Sequence, residues 1–374
     1  MKFTTNRESL LKVLNIAQEV ITNKSPVSIL SNVLLQTAKD KVIVKCTNSA
    51  IKAVTSFAAE IEEEGELTVY CDKLLRIVSS LPMGEVELFN DGIDVIIKPV
   101  DKKVKFKMKS LAADKFPVIN DFGFTENESI CIASKDFKKM IKNTVFAVSD
   151  DTNRHIMTGC YFCKADDYIT MVATDSRRMS LFKCPDKESA VTPAIIPVKM
   201  LSVVEKFSND EGDILIKSSD KSFSVKSGNI EISTSLIEGT YPQWQKVLPS
   251  ALDKAFTVSK VELEDAIKRA ENMSNKEGRI QFNLTKEALE VLSPESELGS
   301  SKEEIAVEYD GEPVQMALNV QFLSDVLKVI NADKISVLFS VSEENKVKKA
   351  LMIRESGDAE INYTHIIMPM SVVA

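Results

Sequence analysis

The feature that most limits how this chain can fold is a helical pattern that comes three times at a nearly constant interval. In Lys135–Ser149, KDFKKMIKNTVFAVS, the residues Phe137, Met140, Ile141, Thr144, Val145 and Val148 fall three and four apart. That spacing makes one buried helix face. Lys135, Lys138, Lys139 and Lys142 take the opposite face at i, i+3, i+4 and i+7. The pattern returns 125 residues later in Lys260–Met273, through Leu263, Ala266, Ile267 and Ala270. It is already present 129 residues earlier in Asn6–Thr22, through Leu10, Val13, Leu14, Ala17 and Ile21.

A second helical series keeps step. It begins near Asp72, Val198 and Asn319, separations of 126 and 121 residues. Asp72 is expected to cap the first of these helices and Pro82 to close it, while Pro197 starts the second. Between helices lie alternating runs that read as antiparallel strands, with turns at Lys39-Asp40 and Asn90-Asp91-Gly92. Repeats one and two also end alike, with Ser110-Leu111 and Ser235-Leu236 followed by Phe116-Pro117 and Tyr241-Pro242. A period this long is not that of a solenoid; it indicates duplicated domains. The expected fold is α+β, with three domains at 1–125, 126–253 and 254–374. Each is expected to hold antiparallel sheets on the outside and two helices on the inside.

Charge sharpens this picture. The net charge is −8, which by itself disfavours a nucleic-acid partner. The six proposed helical segments (6–22, 72–80, 135–149, 198–208, 260–273 and 319–330) nevertheless hold 14 Lys or Arg against 10 Asp or Glu, and the remainder holds 33 against 45. Helices lean basic and everything else is acidic. Equivalent domains joined at a constant rotation trace an arc, and two arcs meeting head to tail close a ring. With helices facing inward, such a ring has a basic hole suited to duplex DNA, without base contacts. A Lys-rich face that is simply solvated, on a scaffold enlarged by duplication, satisfies the same periodicity.

Catalytic patterns are scarce. Two histidines, His155 and His365, leave little material for a His-based triad or metal site, and no GxGxxG, GxxxxGK[ST] or HExxH occurs. Cys160 and Cys163 have a CxxC spacing, but strand alternation separates their faces and no second pair completes four ligands. All six cysteines are read as reduced, buried thiols. Asp150-Asp151 and Asp166-Asp167 look like turn acids. No metal or cofactor is expected. No run approaches the roughly 18 apolar residues of a membrane span, and no leader is evident, so a soluble cytoplasmic protein is expected.

At Ala173-Thr174-Asp175-Ser176-Arg177-Arg178-Met179, at Tyr241-Pro242 through Val247-Leu248-Pro249, and at Ile366-Ile367-Met368-Pro369-Met370, the chain resembles the bacterial sliding clamps, the beta subunits of DNA polymerase III. The likeness runs the full length, including SPVSILSNVLLQ and SLAADKFP. It implies a homodimeric ring of three-domain protomers that encircles duplex DNA and tethers replicative and repair polymerases. It also implies loading by an ATP-driven clamp loader and no catalytic site of its own. The rival reading is a duplicated strand-rich enzyme or adhesin unrelated to DNA, which would show a converging polar cleft instead.

The resemblance further implies a pocket for partners' short linear peptides, formed by Met157, Thr174, Ser176, Arg177, Arg178, Met179, Pro242, Lys246, Val247, Asn319, Phe322, Ile366, Ile367, Met368, Pro369 and Met370. Its apolar members suit a Leu or Phe anchor, while Arg178 and Asn319 can hold polar peptide groups. Cations offered to DNA are Lys24, Lys73, Arg76, Lys135, Lys138, Lys139, Lys142 and Lys199. The dimer seam is expected at Phe106 and Met108, facing Asn272 and Met273. Ser176-Arg177 stands where a Gly-His pair is usual, Ser371 where a basic residue is, and Val372 to Ala374 runs beyond the usual end.

Overall fold

In the computed structural model all residues are described except 22–27, 126–128, 250–251, 275–276, 296, 298, 343–344, 348, 358–361 and 373–374. The six expected helices form: α1 (Arg7–Val20), α2 (Cys71–Ser80), α3 (Ser134–Thr144), α4 (Val198–Phe207), α5 (Lys260–Glu271) and α6 (Val320–Val329). Their caps follow from sequence. Asn6, Ser259 and Asn319 accept hydrogen bonds from the backbones of Glu8, Glu262 and Phe322, satisfying amides that helix geometry leaves unpaired. Asp72 does not cap α2. The helix begins one residue earlier, with Tyr70 at the cap position and no side-chain bond there, and Asp72 sits in the first turn, where it ion-pairs with Arg76 at 3.0 Å. The residue before α4 is Pro197, as expected.

α3 is shorter than its apolar pattern. The buried Thr144 hydroxyl donates back to the Met140 carbonyl at 2.7 Å, and the chain then tightens into a 3-10 turn over Val145–Ala147. Phe137, Met140 and Ile141 are fully buried, whereas Lys135, Lys139 and Lys142 are exposed.

The chain packs as two compact units: Met1–Lys138 with Ala190–Leu236, and Lys139–Ser189 with Ile237–Ala374. In the first, a long antiparallel sheet passes from the first repeat into the second where strand Ile51–Ala58 pairs with Ile230–Ser235, in the register Ala53 to Ile232. Helices α1 and α2 pack on each other, and α1 lies against strand Ile51–Ala58. The turns are those expected, with Lys39 and Gly92 in the left-handed region. The second unit contains the same kind of join. Strand Arg178–Pro185 pairs with the C-terminal strand Tyr363–Ile367, in the register Met179 to Ile366 and Ser180 to His365. Here α5 and α6 pack on each other, over a core that includes Leu263, Ile267, Phe282, Leu323 and Phe339. Within each unit the sheet therefore runs on past the end of a repeat.

All six cysteines are free, but they are not uniformly buried: Cys131 is exposed and Cys184 is half-buried. Both lie on strands, where alternate positions face outward. Burial drives the thiols of Cys71 and Cys160 up to about 12 and that of Cys163 to about 11, so these three are poor nucleophiles.

Candidate functional site: an apolar pocket and the basic helix faces

A cavity of about 180 Å³ opens in the second unit, lined by Met157, Thr174, Ser176, Arg177, Arg178, Met179, Pro242, Trp244, Val247, Ile366 and Met368. Its frame is the tight turn at 174–178. The Thr174 hydroxyl accepts from the Ser176 amide at 3.1 Å and donates to the Arg178 carbonyl at 2.7 Å. Asp175 Oδ1 accepts from the amides of Arg177 at 2.8 Å and Arg178 at 2.9 Å. Ser176 takes φ 75°, a left-handed conformation that suits glycine.

The opposite wall is the C-terminal strand. The Met368 amide donates to the Arg177 carbonyl at 2.8 Å and so extends the ladder past Ile367. Alternation then divides the terminal segment: Ile366 and Met368 line the cavity, while Ile367 is buried in the core with Leu323 and Val326. The floor is set by the connector. Tyr241 stacks on Tyr161 with rings 4.8 Å apart and donates to the Val172 carbonyl at 3.4 Å, which fixes Pro242, Trp244 and Val247. Burial pushes the Tyr241 phenol far up, so it stays a neutral donor.

Several expected pocket residues lie at the rim or serve another task. Arg178 is 10% exposed and committed: its guanidinium meets Asp175 at 3.1 Å and Asp325 at 2.8 Å and lies 4.5 Å from the Phe322 ring centre. Burial raises the Asp325 carboxyl, but hydrogen bonds from Arg178, Lys328 and Gln321 prevail and leave it below the usual range. Phe322 thus supports Arg178 from beneath and packs on the core, outside the cavity lining. Asn319 spends its side chain capping α6 and donating to the Glu277 carbonyl at 2.9 Å. Lys246 is exposed beside the cavity, Pro369 is half-buried, and the Met370 amide donates to Ala317.

Sequence reasoning missed Trp244, Arg154 and Asp325. Trp244 lay inside a recognised motif, between Pro242 and Val247, and burial of the one tryptophan could have been inferred from that. Arg154, which hydrogen-bonds the Ser176 hydroxyl, carries no local signal, and neither does Asp325.

Beneath the pocket strand His365 is fully buried, near the rings of Tyr363 at 5.0 Å and Phe146 at 5.7 Å, with Nδ1 3.0 Å from the Ser180 hydroxyl. Burial lowers it to about 3, so it is neutral at physiological pH.

The basic helix faces are built differently. Lys24 lies outside the described residues. Lys73, Lys135 and Lys142 are exposed and have no ion-pair partner among the described residues; Lys139 is exposed as well. Arg76 pairs with Asp72, Lys138 with Asp210 at 2.6 Å, and Lys199 with Glu19 at 3.0 Å. Among the seam candidates, Phe106 and Met273 are half-buried and Asn272 is exposed, whereas Met108 is already buried in its own unit. Over 106–109 the Phe106–Leu111 strand is paired on one flank, with Asp94–Pro99. No group of three His, Cys, Asp or Glu suited to a metal occurs among the described residues, and no described helix is long and apolar enough to cross a membrane.

Repeated strand-rich domains, each contributing two helices, together with a peptide-sized apolar pocket, define the class of DNA clamp folds. The family described as DNA polymerase III beta subunit matches in three parts: its N-terminal domain over residues 1–120, its central domain over 131–243 and its C-terminal domain over 245–371. A beta sliding clamp from Treponema pallidum is 33% identical over 380 residues, covering 99% of both chains, and one from Pseudomonas putida is 26% identical over 99% of this chain and 100% of that one. The crystal structure of the DNA polymerase III subunit beta from Pseudomonas aeruginosa superposes with a TM-score of 0.88 at 25% identity, covering 99% of this chain and 100% of that one. That of the Bartonella birtlesii sliding clamp bound to griselimycin gives 0.90 at 25%, covering 100% of each. The chain belongs to the bacterial DNA polymerase III beta subunit family, the beta sliding clamps, and has their three-domain clamp fold.

Proposed function

We propose that two copies of this chain close a ring around duplex DNA, independent of base sequence, and tether the polymerase III alpha subunit, the clamp loader and other polymerases or repair proteins through short linear peptides. The observation that carries this reading is the cavity between the 174–179 turn and the Ile366–Met368 strand, apolar and held open by hydrogen bonds. Its size and lining suit one bulky apolar anchor of a peptide, with specificity from the rim. The domains are assigned to 1–125, 126–253 and 254–374. DNA meets the exposed cations of the helix faces, Lys73, Lys135, Lys139 and Lys142 foremost. The seam forms where the open flank of the Phe106 strand meets Met273 of the second copy. The protein acts in the cytoplasm as a processivity subunit without a catalytic site, metal or cofactor, so rate enhancement comes from its partners.

Electron microscopy and sedimentation of the purified chain test the ring: a closed annulus of two protomers is expected. A Phe106→Glu variant should sediment as a folded monomer, because an unpaired charge at an interface core costs several kcal/mol. A wild-type chain that stays monomeric at micromolar concentration, or forms no annulus, defeats the proposal.

A further inference from the structure

Of the three charges joining α1 and α4, two oppose the dipole of their own helix. Glu19 lies in the last turn of α1, a turn with no basic residue, so its carboxylate faces the negative end of its own helix dipole. Lys199 lies in the first turn of α4, at the positive end of that helix. The two are stabilised by each other: Lys199 reaches Glu19 Oε2 at 3.0 Å, and Lys206, from the last turn of α4, takes Oε1. Lys199 and Lys206 are seven residues apart, two turns or about 10 Å along one face. One carboxylate thus bridges two ammonium groups on a neighbouring helix. All three side chains are open to solvent, with 35% of Glu19, 43% of Lys199 and 60% of Lys206 exposed. Hydrogen bonds from Lys206 and then Lys199 hold the Glu19 carboxyl below its usual range, so it is ionised throughout the neutral range.

We propose that Glu19 is an internal competitor for DNA phosphate: it occupies the two α4 lysines as a phosphate oxygen pair would, and keeps the grip on the duplex loose at this point. This rests on the reading above that the helix faces meet DNA. A phosphate gains Lys199 and Lys206 only by displacing Glu19, so each contact is a near-even exchange of one anion for another. A surface that must slide needs contacts of that kind. The Lys138–Asp210 pair is weaker in this respect, since Asp210 is 87% exposed and holds a single lysine. If Glu19 merely staples α1 to α4, removing its charge weakens the fold and leaves DNA binding alone. If it competes, removing its charge tightens binding.

The test uses the full-length chain and a short fluorescent blunt-ended duplex, followed by anisotropy at a series of salt concentrations. Glu19→Gln should bind roughly three- to tenfold more tightly at the lowest salt, and its plot of log affinity against log salt should steepen by about 2, for two lysines released to phosphate. Adding Lys199→Gln and Lys206→Gln should abolish the gain. Should Glu19→Gln unfold, Glu19→Asp, whose shorter side chain cannot span both lysines, should still gain part of the affinity. Unchanged affinity and slope in the folded Glu19 variant overturn the proposal. A Lys135→Glu, Lys139→Glu, Lys142→Glu triple variant run alongside separates the two readings: if it too binds like wild type, the helix-face reading has failed, not only the role of Glu19.

Discussion

The pocket and the helix faces put polar groups to opposite uses. Around the pocket nearly every polar group is committed: Thr174, Asp175 and Arg178 are tied into one turn, Arg178 is also tied to Asp325, and Met368 to the Arg177 carbonyl. On the helix faces Lys73, Lys135 and Lys142 are left to solvent, Lys138 holds the exposed Asp210, and Lys199 shares the half-buried Glu19 with Lys206. The first arrangement is preorganised for one shape of ligand, because ordering has been completed before binding. The second resists no particular geometry, which suits a partner that must keep moving.

Acid should separate the two regions most strongly. His365 is near 3 in the folded state against an ordinary 6.5, so its contribution is full above pH 6.5 and is lost as pH falls toward 3. The loss is on the order of 5 kcal/mol if the unfolded value is ordinary. Trp244, the one tryptophan, lies in the same unit and reports the event. Its fluorescence in urea titrations should shift to lower midpoints from pH 7 to pH 4.5; a midpoint that holds steady over that range would show that His365 finds a partner for its second nitrogen.

Next in size is peptide binding. Met179→Ala removes a buried wall of the cavity and should weaken a Leu-Phe-anchored peptide by about 2 to 3 kcal/mol. Phe322→Ala, at a residue that lies outside the cavity lining and reaches it through Arg178 and the core, should lose less. Calorimetry that ranks Phe322 above Met179 would place the anchor outside the cavity described.

Smaller still is the effect of the cations. The triple charge reversal at Lys135, Lys139 and Lys142 should flatten the salt dependence of DNA binding by about 3 in log-log slope, while Lys138→Gln alone does little. The reverse ranking in the same anisotropy assay would mean that the Asp210 pair opens on DNA. Smallest is the turn. Ser176→Gly should stabilise the chain by about 0.5 to 1 kcal/mol, through relief of the left-handed serine, and raise the melting temperature with little change in peptide affinity. A fall in melting temperature would show that the Arg154 bond to the Ser176 hydroxyl outweighs backbone strain.

Helix positions were legible because apolar spacing reports burial directly: Phe137, Met140 and Ile141 were placed correctly by period alone. Pocket walls were legible through three short motifs that lie far apart in the chain, which the family resemblance, and no local pattern, brings together. The commitment of Arg178 was not, since Asp325 is 147 residues away and no local pattern links an arginine to a distant acid. Pairing of Lys199 with Glu19 was hidden for the same reason: it spans 180 residues. Met108 is expected at the seam by resemblance although it is buried in its own unit, because a resemblance carries over the strand and not what already covers each of its side chains. Asp72 misled because an acid in the first turn and one at the cap satisfy the same composition rule.

The join between Arg178–Pro185 and Tyr363–Ile367 also has a consequence in time. Ser180 and His365 are 185 residues apart in the chain. At synthesis rates of about 5 to 20 residues per second, the first waits roughly 10 to 40 seconds for the second to be made. Until then the sheet edge at Arg178–Pro185 is unpaired and open to other strands. A nascent chain therefore has helices α1 to α4 long before it has a complete apolar pocket, and a chain cut short before residue 363 exposes a sticky edge.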